Sequence, residues 1–376
     1  MIYTRTLLQP VRNNLFKGKA IIIYGARQVG KTTLVKEVLQ QYLDRGIYFN
    51  CDEPDIRVAL TNKTSTELKN LIGLHDLVII DEAQRVTNIG LTLKLLIDTF
   101  PTIQVIATGS SSFDLANRIN EPLTGRARTF ILYPLALDEI ADTPLAANRF
   151  LDRLMIYGSY PSVVQAAGVE AAETISHIAN QYLYKDLLNF DFIRNTHVLD
   201  KLLKALALQL GSEVSYNELA SLVEVNKQTV EQYIALFEQA FIIFRLGPFK
   251  RNLRTELGKL RKVYFYDLGI RNSLINNFNA LDLRNDVGAL WENFCIIERR
   301  KQNSYTGRLV NYYFWRDYQK HEIDLVEEAG GALRGYEFKW RKEKINAPSI
   351  FTKTYPQSSF TLVNSENYLQ KFLKIG

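Results

Sequence analysis

The stretch Gly25-Ala-Arg-Gln-Val-Gly30-Lys31-Thr32 decides the fold of the first part of the chain. It follows the apolar run Ala20–Tyr24 and precedes the helical pattern Thr33–Gln40, so a strand, a glycine-rich loop and a helix are predicted in succession. Glycines let backbone N–H groups turn towards phosphate oxygens, and the helix N-terminus adds a partial positive charge. The stretch therefore predicts a Walker A phosphate-binding loop. A chance glycine turn is the alternative, and the flanking strand and helix disfavour it.

The predicted ligand of this loop is Mg-ATP. Lys31 would reach the β- and γ-phosphates, and the Thr32 hydroxyl would bind Mg²⁺. The other members of the predicted nucleotide-binding set are Gly25, Ala26, Arg27, Gln28, Val29, Gly30 and Thr33.

Two acids end the apolar run Leu77–Ile80, about fifty residues beyond the loop. An acid at the end of a buried strand needs a cation, so Asp81 is predicted to bind Mg²⁺. Glu82 stands beside it and is predicted to orient and deprotonate the attacking water. The alternative is a solvated strand end without chemistry.

A further strand, Ile103–Thr108, is followed by Gly109 and Ser110 and is expected to lie beside the Asp81 strand. Ser110 or Thr108 is therefore predicted to contact the γ-phosphate or the water. The alternative is a plain turn and helix cap. Together with four other short apolar runs, this strand predicts a parallel α/β sheet in the first 140 residues. Its five strands are Ala20–Tyr24, Ile47–Asn50, Leu77–Ile80, Ile103–Thr108 and Thr129–Leu132.

Composition sets the broad class. The 376 residues, 47% hydrophobic and 23% charged, indicate a globular protein of two or three compact units. No run approaches the roughly 20 apolar residues of a membrane span, and the first residues lack a signal-peptide plan. Cys51 and Cys295 suggest no disulfide framework, and the four dispersed histidines suggest no zinc site. A cytoplasmic protein with no membrane contact is expected.

Basic residues are concentrated in one segment. The net charge is +6, and six cations stand between positions 250 and 262 against the single acid Glu256: Lys250, Arg251, Arg254, Lys259, Arg261 and Lys262. An excess of this kind suits nucleic acid as a partner.

The region before this segment predicts two helices followed by a hairpin. Ser215-Tyr-Asn-Glu218 is a capping box, and the second helix begins near Lys227, Gln228 and Thr229. Helices, hairpin and basic residues together resemble a winged helix, in which those three residues would meet a DNA groove and Lys250–Lys262 would contact phosphates. A protein-contact module with a solvated charged face is the alternative.

The tail carries a metal-site pattern. Asp324 and the pair Glu337 and Lys339 stand on two alternating strands, and Glu328–Gly331 supplies turn residues for a hairpin between them. Asp, then Glu-x-Lys, is the PD-(D/E)xK pattern of restriction-endonuclease-like folds. Asp324 and Glu337 would hold Mg²⁺, with Lys339 and Glu292 beside them. The proline that usually precedes the aspartate is missing, and an amphipathic hairpin with a charged face is the alternative.

Taken together, these residues resemble the bacterial and archaeal AAA+ ATPases that carry a C-terminal domain of unknown function. The resemblance covers nearly the whole chain, and Ser159 departs from it where a second glycine is usual. It implies that Arg126, or failing that Arg128, is an arginine finger acting in a neighbouring subunit of a homo-oligomer. Surface arginines are the alternative. Further stretches carry the resemblance: Leu123–Arg128, Tyr133–Glu139, Tyr157–Pro161, Asp186, Trp291–Phe294 and Glu337–Lys339.

The expected fold class is α/β, with a P-loop sheet of the ASCE/AAA+ type, helical and winged-helix-like segments, and a C-terminal restriction-endonuclease-like domain. The expected boundaries are 1–143 for the ATPase core, 144–212 for a helical lid or linker, 213–275 for the winged helix and 276–376 for the last domain. Two functions are open. One is an ATPase that couples turnover to nucleic-acid contact or processing. The other is a nucleotide-controlled protein-interaction module whose tail is catalytically inactive.

Overall fold

The computed structural model describes residues 3–110, 123–187, 196–249, 261–317, 319, 321–341 and 345–373, and only the backbone of residues 181–187. The chain forms two compact units. The P-loop unit consists of Ile2–Pro134 with Gln239–Phe241, and the C-terminal unit consists of Leu135–Glu238 with Ile242–Gly376. The unit boundary at Pro134 comes slightly before the predicted one, and the division into four parts stays a prediction.

The P-loop unit is built on a parallel five-stranded sheet of order β2-β3-β4-β1-β5. All five predicted strands are confirmed, with small shifts at their ends. Because the strands are parallel and β4 lies between β1 and β3, the loop after β1 and the acids at the end of β3 lie close together at the same edge of the sheet. The strands are β1 (Ala20–Tyr24), β2 (Gly46–Asn50), β3 (Leu77–Asp81), β4 (Gln104–Gly109) and β5 (Ala127–Ile131).

Burial explains why these runs form strands. Every residue of β1, β3 and β4 is buried, as is typical of a parallel sheet whose two faces are covered. The described helices of this unit are Leu8–Arg12, Lys31–Leu39, Pro54–Leu60, Ser65–Ile72 and Ile89–Thr99, with short 3₁₀ turns at Gln40–Tyr42 and Ala83–Arg85.

The C-terminal unit opens with helices, as predicted for the residues after Pro144. Thr143 caps the first long one by accepting a hydrogen bond from the Ala146 N–H at 3.3 Å, and Pro144 takes the first helical position. The described helices are Leu137–Ile140, Pro144–Tyr157, Pro161–Gln165, Gly168–Leu187, Thr196–Leu208, Tyr216–Leu222, Lys227–Gln239, Leu268–Leu274, Val287–Tyr305 and Ser349–Thr354, with a 3₁₀ turn at Leu281–Leu283 and a π turn at Leu369–Leu373.

A mixed seven-stranded sheet of order β12-β11-β10-β9-β7-β8-β6 completes this unit. Strands from the predicted winged-helix region and from the predicted nuclease-like region therefore share one sheet. Its strands are β6 (Glu213–Val214), β7 (Ile243–Pro248), β8 (Arg261–Phe265), β9 (Asn311–Arg316), β10 (Glu322–Ala329), β11 (Ala332–Phe338) and β12 (Ser359–Val363).

The predicted hairpins are present in this sheet. Strands β7 and β8 pair antiparallel, and so do β10 and β11, where Leu325 lies opposite Tyr336. Gly330 and Gly331 form the turn between β10 and β11 with φ of +56° and +80°, a conformation that glycine adopts at little cost. The hairpin brings Asp324 to the same end as Glu337.

None of the described helices is long and apolar enough to cross a membrane.

Candidate functional site

The glycine loop connects β1 to helix Lys31–Leu39, which confirms the predicted succession of strand, loop and helix. A Cβ atom on Gly25 would lie 2.2 Å from the backbone oxygen of Leu132, so only glycine fits there. Gly30 precedes the helix in a left-handed conformation, with φ of +98°. Gly25 thus lets the loop lie close to the sheet. Gly30 leaves the N-terminus of the helix that follows the loop open to an anion.

Lys31 lies inside this loop. Its side chain is buried, and its ammonium donates hydrogen bonds to the backbone oxygens of Gly25 at 2.9 Å and Ala26 at 2.8 Å. A buried ammonium needs such acceptors, since burial removes its hydration. The loop therefore holds the positive charge where phosphate oxygens are predicted to bind.

Asp81, at the end of β3, collects hydroxyl groups from three elements. It accepts hydrogen bonds from Thr32 Oγ1 at 2.7 Å, from the Tyr48 hydroxyl at 2.6 Å and from Thr108 Oγ1. A carboxylate and a threonine hydroxyl in contact are hard oxygen donors of the kind that Mg²⁺ takes. Thr32 and Asp81 thus fit the predicted ion.

Asp81 also affects the groups around it. Burial, and next the hydrogen bond to Asp81, raise the pKa of Tyr48 far above its usual range. Burial and then the charge of Asp81 raise the pKa of the Cys51 thiol to about 12, so this cysteine is neutral at physiological pH. Tyr48 is therefore a donor to Asp81.

Glu82 is held by a second set of contacts. Its residue adopts a left-handed conformation with φ of +54°, and its N–H donates to Thr108 Oγ1 at 3.1 Å. The side-chain amide of Gln84 donates to Glu82 Oε2 at 2.5 Å and to Ser110 Oγ at 3.1 Å. Thr108 thus contacts the Asp81 carboxylate and the Glu82 backbone, while Ser110 is linked to the Glu82 carboxylate through Gln84.

The predicted arginine fingers pair with other residues of the P-loop unit. Arg126 Nε lies 2.6 Å from Asp98 Oδ1, and both side chains are more than one-third exposed. Arg128 donates a hydrogen bond to Asn14. Their action in a neighbouring subunit stays a prediction.

The predicted DNA-contacting helix is present, with Lys227 and Gln228 exposed and Thr229 half-buried. Asn226 Oδ1 accepts a hydrogen bond from the Thr229 N–H at 2.8 Å, which caps the helix. Lys227 lies 3.5 Å from Glu231, one helical turn further on.

One part of the prediction for the basic segment, residues 250–262, is wrong. Lys250, Arg251, Arg254 and Lys259 lie outside the described residues, and Arg261 and Lys262 open β8. Lys262 is only 4% exposed, so its predicted contact with DNA phosphates is wrong. On a strand, alternate residues share a face, and this places Lys262 and Tyr264 together on one face of the sheet.

Lys262 lies among acids, which we call the acidic cluster: Glu292, Glu322, Asp324 and Glu337. Its ammonium is 3.2 Å from Glu292 Oε1 and 3.8 Å from Asp324 Oδ1, and it forms an ion pair with Glu322. The Tyr264 hydroxyl donates to Glu292 Oε1 at 2.5 Å. Strand β8 therefore supplies two donors to the cluster.

Asp324, Glu337 and Lys339 lie together at one end of the hairpin of β10 and β11, as the sequence predicted. The Phe338 N–H donates to Asp324 Oδ2 at 2.8 Å, and Lys339 Nζ lies 2.9 Å from Glu337 Oε1. Within the described parts of the chain, no group of three His, Cys, Asp or Glu side chains is arranged to hold a metal ion. Metal binding by Asp324 and Glu337 therefore stays a prediction.

Burial and like charge raise the pKa of each carboxyl in the centre of the cluster. Burial and then the charge of Asp324 raise the pKa of Glu292 and that of Glu337. Burial raises the pKa of Asp324 against the opposing charge of Lys262. Burial alone would lower the pKa of Lys262, but the charges of Glu292, Asp324 and Glu322 outweigh it and raise that pKa. Lys262 is therefore charged throughout the physiological range.

A cavity of about 600 Å³ adjoins the cluster, and Glu292 and Lys339 lie in its wall. Phe338, Trp340 and Arg341 extend the wall along the end of β11. The cavity is large enough for a group of the size of a nucleotide or of a few amino-acid side chains.

Three known protein domains match successive parts of the chain. Residues 17–141 match an AAA domain. Two domains of unknown function follow, DUF8612 at residues 148–281 and DUF4143 at residues 287–371. The loop, Asp81 and Glu82 thus lie within the match to the AAA domain. All four acids of the acidic cluster lie within the match to DUF4143, and Lys262 lies within the match to DUF8612.

Relatives occur in bacteria and archaea. An uncharacterized protein of Mycobacterium tuberculosis is 27% identical over 355 residues, which cover 93% of this chain and 76% of that protein. An uncharacterized protein of Methanocaldococcus jannaschii is 27% identical over 300 residues, which cover 69% of this chain and 63% of that protein. The solved Pif1 helicase from Candida albicans is 14% identical, with 48% of each chain covered and a TM-score of 0.25, which supports no conclusion.

Three residues of the P-loop unit with buried or part-buried contacts were not predicted from the sequence. Tyr48 contacts Asp81, and Gln84 contacts Glu82. The available signals were the position of Tyr48 in the predicted strand Ile47–Asn50 and that of Gln84 two residues after Glu82. Arg5 is buried and donates to the backbone oxygens of Val29 at 2.5 Å and Tyr133 at 2.7 Å, so it ties the N-terminal segment to the loop. No local pattern marks Arg5, because its partners are distant in sequence.

The departure at Ser159 has a structural role. Its N–H donates to Asp267 Oδ2 at 2.7 Å, and its hydroxyl accepts a hydrogen bond from Lys301 at 3.2 Å. A Cβ on the preceding Gly158 would lie 2.0 Å from Asp267 Oδ1, so the first glycine of this turn is required while the second position tolerates serine. Asp186 lies among the residues whose side chains are not described.

Proposed function

We propose that the chain binds and hydrolyses Mg-ATP in its AAA domain and couples turnover to contact with nucleic acid. The observation that supports ATP chemistry is the hydrogen-bond chain Thr32–Asp81–Thr108 beside the buried Lys31. It joins the loop, β3 and β4 at one edge of the sheet, where an ATPase needs a cation, a metal ligand and a base together.

Each side chain has a separate role in this proposal. When bound, Mg²⁺ neutralises charge on the phosphate oxygens, and Thr32 and Asp81 would hold it. Lys31 exchanges its backbone acceptors for phosphate oxygens. Glu82 orients the attacking water and accepts its proton, and Gln84 fixes the carboxylate and connects it to Ser110.

Completion of the site by a second copy is part of the proposal. Arg126 would leave Asp98 and act on the phosphates bound by a neighbouring subunit, with Arg128 as the second candidate. The ion pair with Asp98 is exposed, and exposed pairs contribute little to stability, so its exchange costs little.

Nucleic acid is the proposed partner of the C-terminal unit. Support comes from the basic residues of positions 250–261 and from the exposed Lys227 and Gln228 at the start of their helix. We propose the four parts 1–143, 144–212, 213–275 and 276–376 as functional regions, the third winged-helix-like and the fourth restriction-endonuclease-like.

We expect nucleic acid to change the rate of ATP turnover, because coupling requires that the two sites influence one another. Steady-state ATP hydrolysis is measured with and without duplex DNA, single-stranded DNA and RNA. A severalfold change with one of these would support coupling. An unchanged rate with all of them, at concentrations that saturate binding, would favour a protein partner instead.

DNA affinity should also fall steeply with salt if the basic segment binds phosphates. The log–log slope is about −0.9 for each phosphate neutralised on duplex DNA. Arg251→Ala with Arg254→Ala should make the slope shallower by about two units if each neutralises one phosphate. The matched control is Lys201→Ala with Lys204→Ala, on the exposed face of helix Thr196–Leu208. Equal slopes in both double variants would assign Arg251 and Arg254 to a solvated face.

A second function is favoured by the contacts of Lys262. In this alternative the chain is a nucleotide-controlled interaction or regulatory module, and the nuclease-like tail cleaves nothing. A lysine among the predicted metal ligands supports it.

A further inference from the structure

Lys262 stands at the point of the C-terminal unit where the sequence predicts a metal ion. It contacts carboxylates of two elements, helix Val287–Tyr305 through Glu292 and β10 through Glu322 and Asp324. Its side chain is 6% exposed, and those of Glu292 and Asp324 are 14% and 10% exposed. The ammonium, Glu292 and Asp324 are therefore largely removed from water, while the Glu322 side chain is 30% exposed.

This arrangement is mutually dependent. Carboxylates held close together in a buried place repel one another unless a cation lies between them. A buried ammonium is equally costly unless carboxylates surround it. Lys262 and the acids satisfy both needs without an ion from solution.

Lys339, the other lysine beside the cluster, forms its ion pair with Glu337 and not with the acids that Lys262 contacts. Tyr264 donates to the same Glu292 oxygen that Lys262 contacts, and the Phe338 N–H donates to the Asp324 oxygen that Lys262 does not contact. Lys262 is thus the cation in contact with Glu292, Glu322 and Asp324, and the charge of Lys339 assists it at Asp324.

We infer that Lys262 is the resident cation of the acidic cluster and excludes a divalent metal ion from Asp324 while it lies there. The C-terminal unit in this arrangement is a contact module and not a metal-dependent nuclease. The inference goes beyond the proposed ATPase and does not depend on it, because it concerns only contacts within the C-terminal unit.

Removal of the ammonium should create a metal site. Glu337 Oε2 is buried and has no hydrogen-bond partner among the described atoms, so Asp324 and Glu337 still offer oxygens once Lys262 is gone. Mn²⁺ is the probe, measured by electron paramagnetic resonance on the full chain without nucleotide. Lys262→Met should gain one Mn²⁺ bound at least about tenfold more tightly than any Asp324-dependent Mn²⁺ in the wild type, since a unit charge about 4 Å away strongly opposes a second cation.

Two controls assign the gained ion. Asp324→Asn in the Lys262→Met background should remove it, which separates it from any ion held by the AAA domain. Lys262→Arg keeps the positive charge and should gain none.

Thermal unfolding keeps the test decisive if Lys262→Met is unstable. Its acids lack a counter-charge, so it should melt below the wild type in EDTA, and Mn²⁺ should raise its melting temperature but not that of the wild type. The inference is overturned if the wild type binds Mn²⁺ in a manner lost in Asp324→Asn. It is also overturned if folded Lys262→Met gains no Mn²⁺. Since nucleotide is absent, neither result depends on whether the chain hydrolyses ATP.

Discussion

Lys31→Ala is expected to abolish both ATP binding and ATP turnover. The substitution removes the one buried ammonium that the loop holds against the oxygens of Gly25 and Ala26, and alanine offers no charge to the phosphates. Nucleotide affinity is measured by calorimetry and turnover by phosphate release. Both should fall to the background of the assay.

The control for this prediction is Lys17→Ala, which removes an exposed lysine from the same unit and should leave both quantities unchanged. Circular dichroism and thermal unfolding show whether Lys31→Ala remains folded. Normal hydrolysis by a folded, highly purified Lys31→Ala protein would refute the assignment of the loop as an ATP site.

Glu82→Gln is expected to retain nucleotide binding and to lower turnover by roughly 10²–10⁴-fold, the usual contribution of a general base. Glutamine keeps the shape of the side chain and its contact with Gln84, but it cannot accept the proton of the attacking water. Asp81, which lies against Thr32, is untouched, so the predicted metal ligands are preserved. Binding and single-turnover hydrolysis are measured on the same preparation.

Glu37→Gln makes the same chemical change on helix Lys31–Leu39, away from the acids of β3, and should leave turnover within twofold of the wild type, since a surface substitution has little effect on chemistry. Loss of nucleotide binding in Glu82→Gln would mean that Glu82 organises the site. The proposed division of labour between Asp81 and Glu82 would then be wrong.

The residues changed in these two predictions were found in the sequence, but two of the side chains that contact Asp81 and Glu82 were not. The sequence identified Lys31 and Glu82 from the order of strand, loop and acids, and their neighbours could not be identified in the same way. Tyr48 binds Asp81 from β2, and Gln84 joins Glu82 to Ser110. These contacts arise because three strand ends meet at one edge of the sheet. The register between strands fixes which side chains meet, and no single stretch of sequence contains that register.

Lys262 shows the limit of reading charge along a chain. In the sequence it closes a run of basic residues, which indicates a solvated or DNA-binding surface. In the structure it is the one described lysine of β8, and its strand turns it inward to Glu292, Glu322 and Asp324. Alternation within β8 gives it the same face as Tyr264, but only the sheet order decides that this face meets acids.

The sequence by itself determined the elements whose cause is local. The glycine loop, the five strands of the P-loop unit and the hairpin of β10 and β11 follow from runs of apolar residues and from glycines at turns, which act within a few residues. The tertiary structure alone decided the partners of buried charges. Arg5 at Val29 and Tyr133, Ser159 at Asp267 and Lys262 in the acidic cluster all have partners far away in sequence. The physical reason is that a buried charge needs an opposite charge or hydrogen-bond partners, and which groups it meets depends on how distant elements pack.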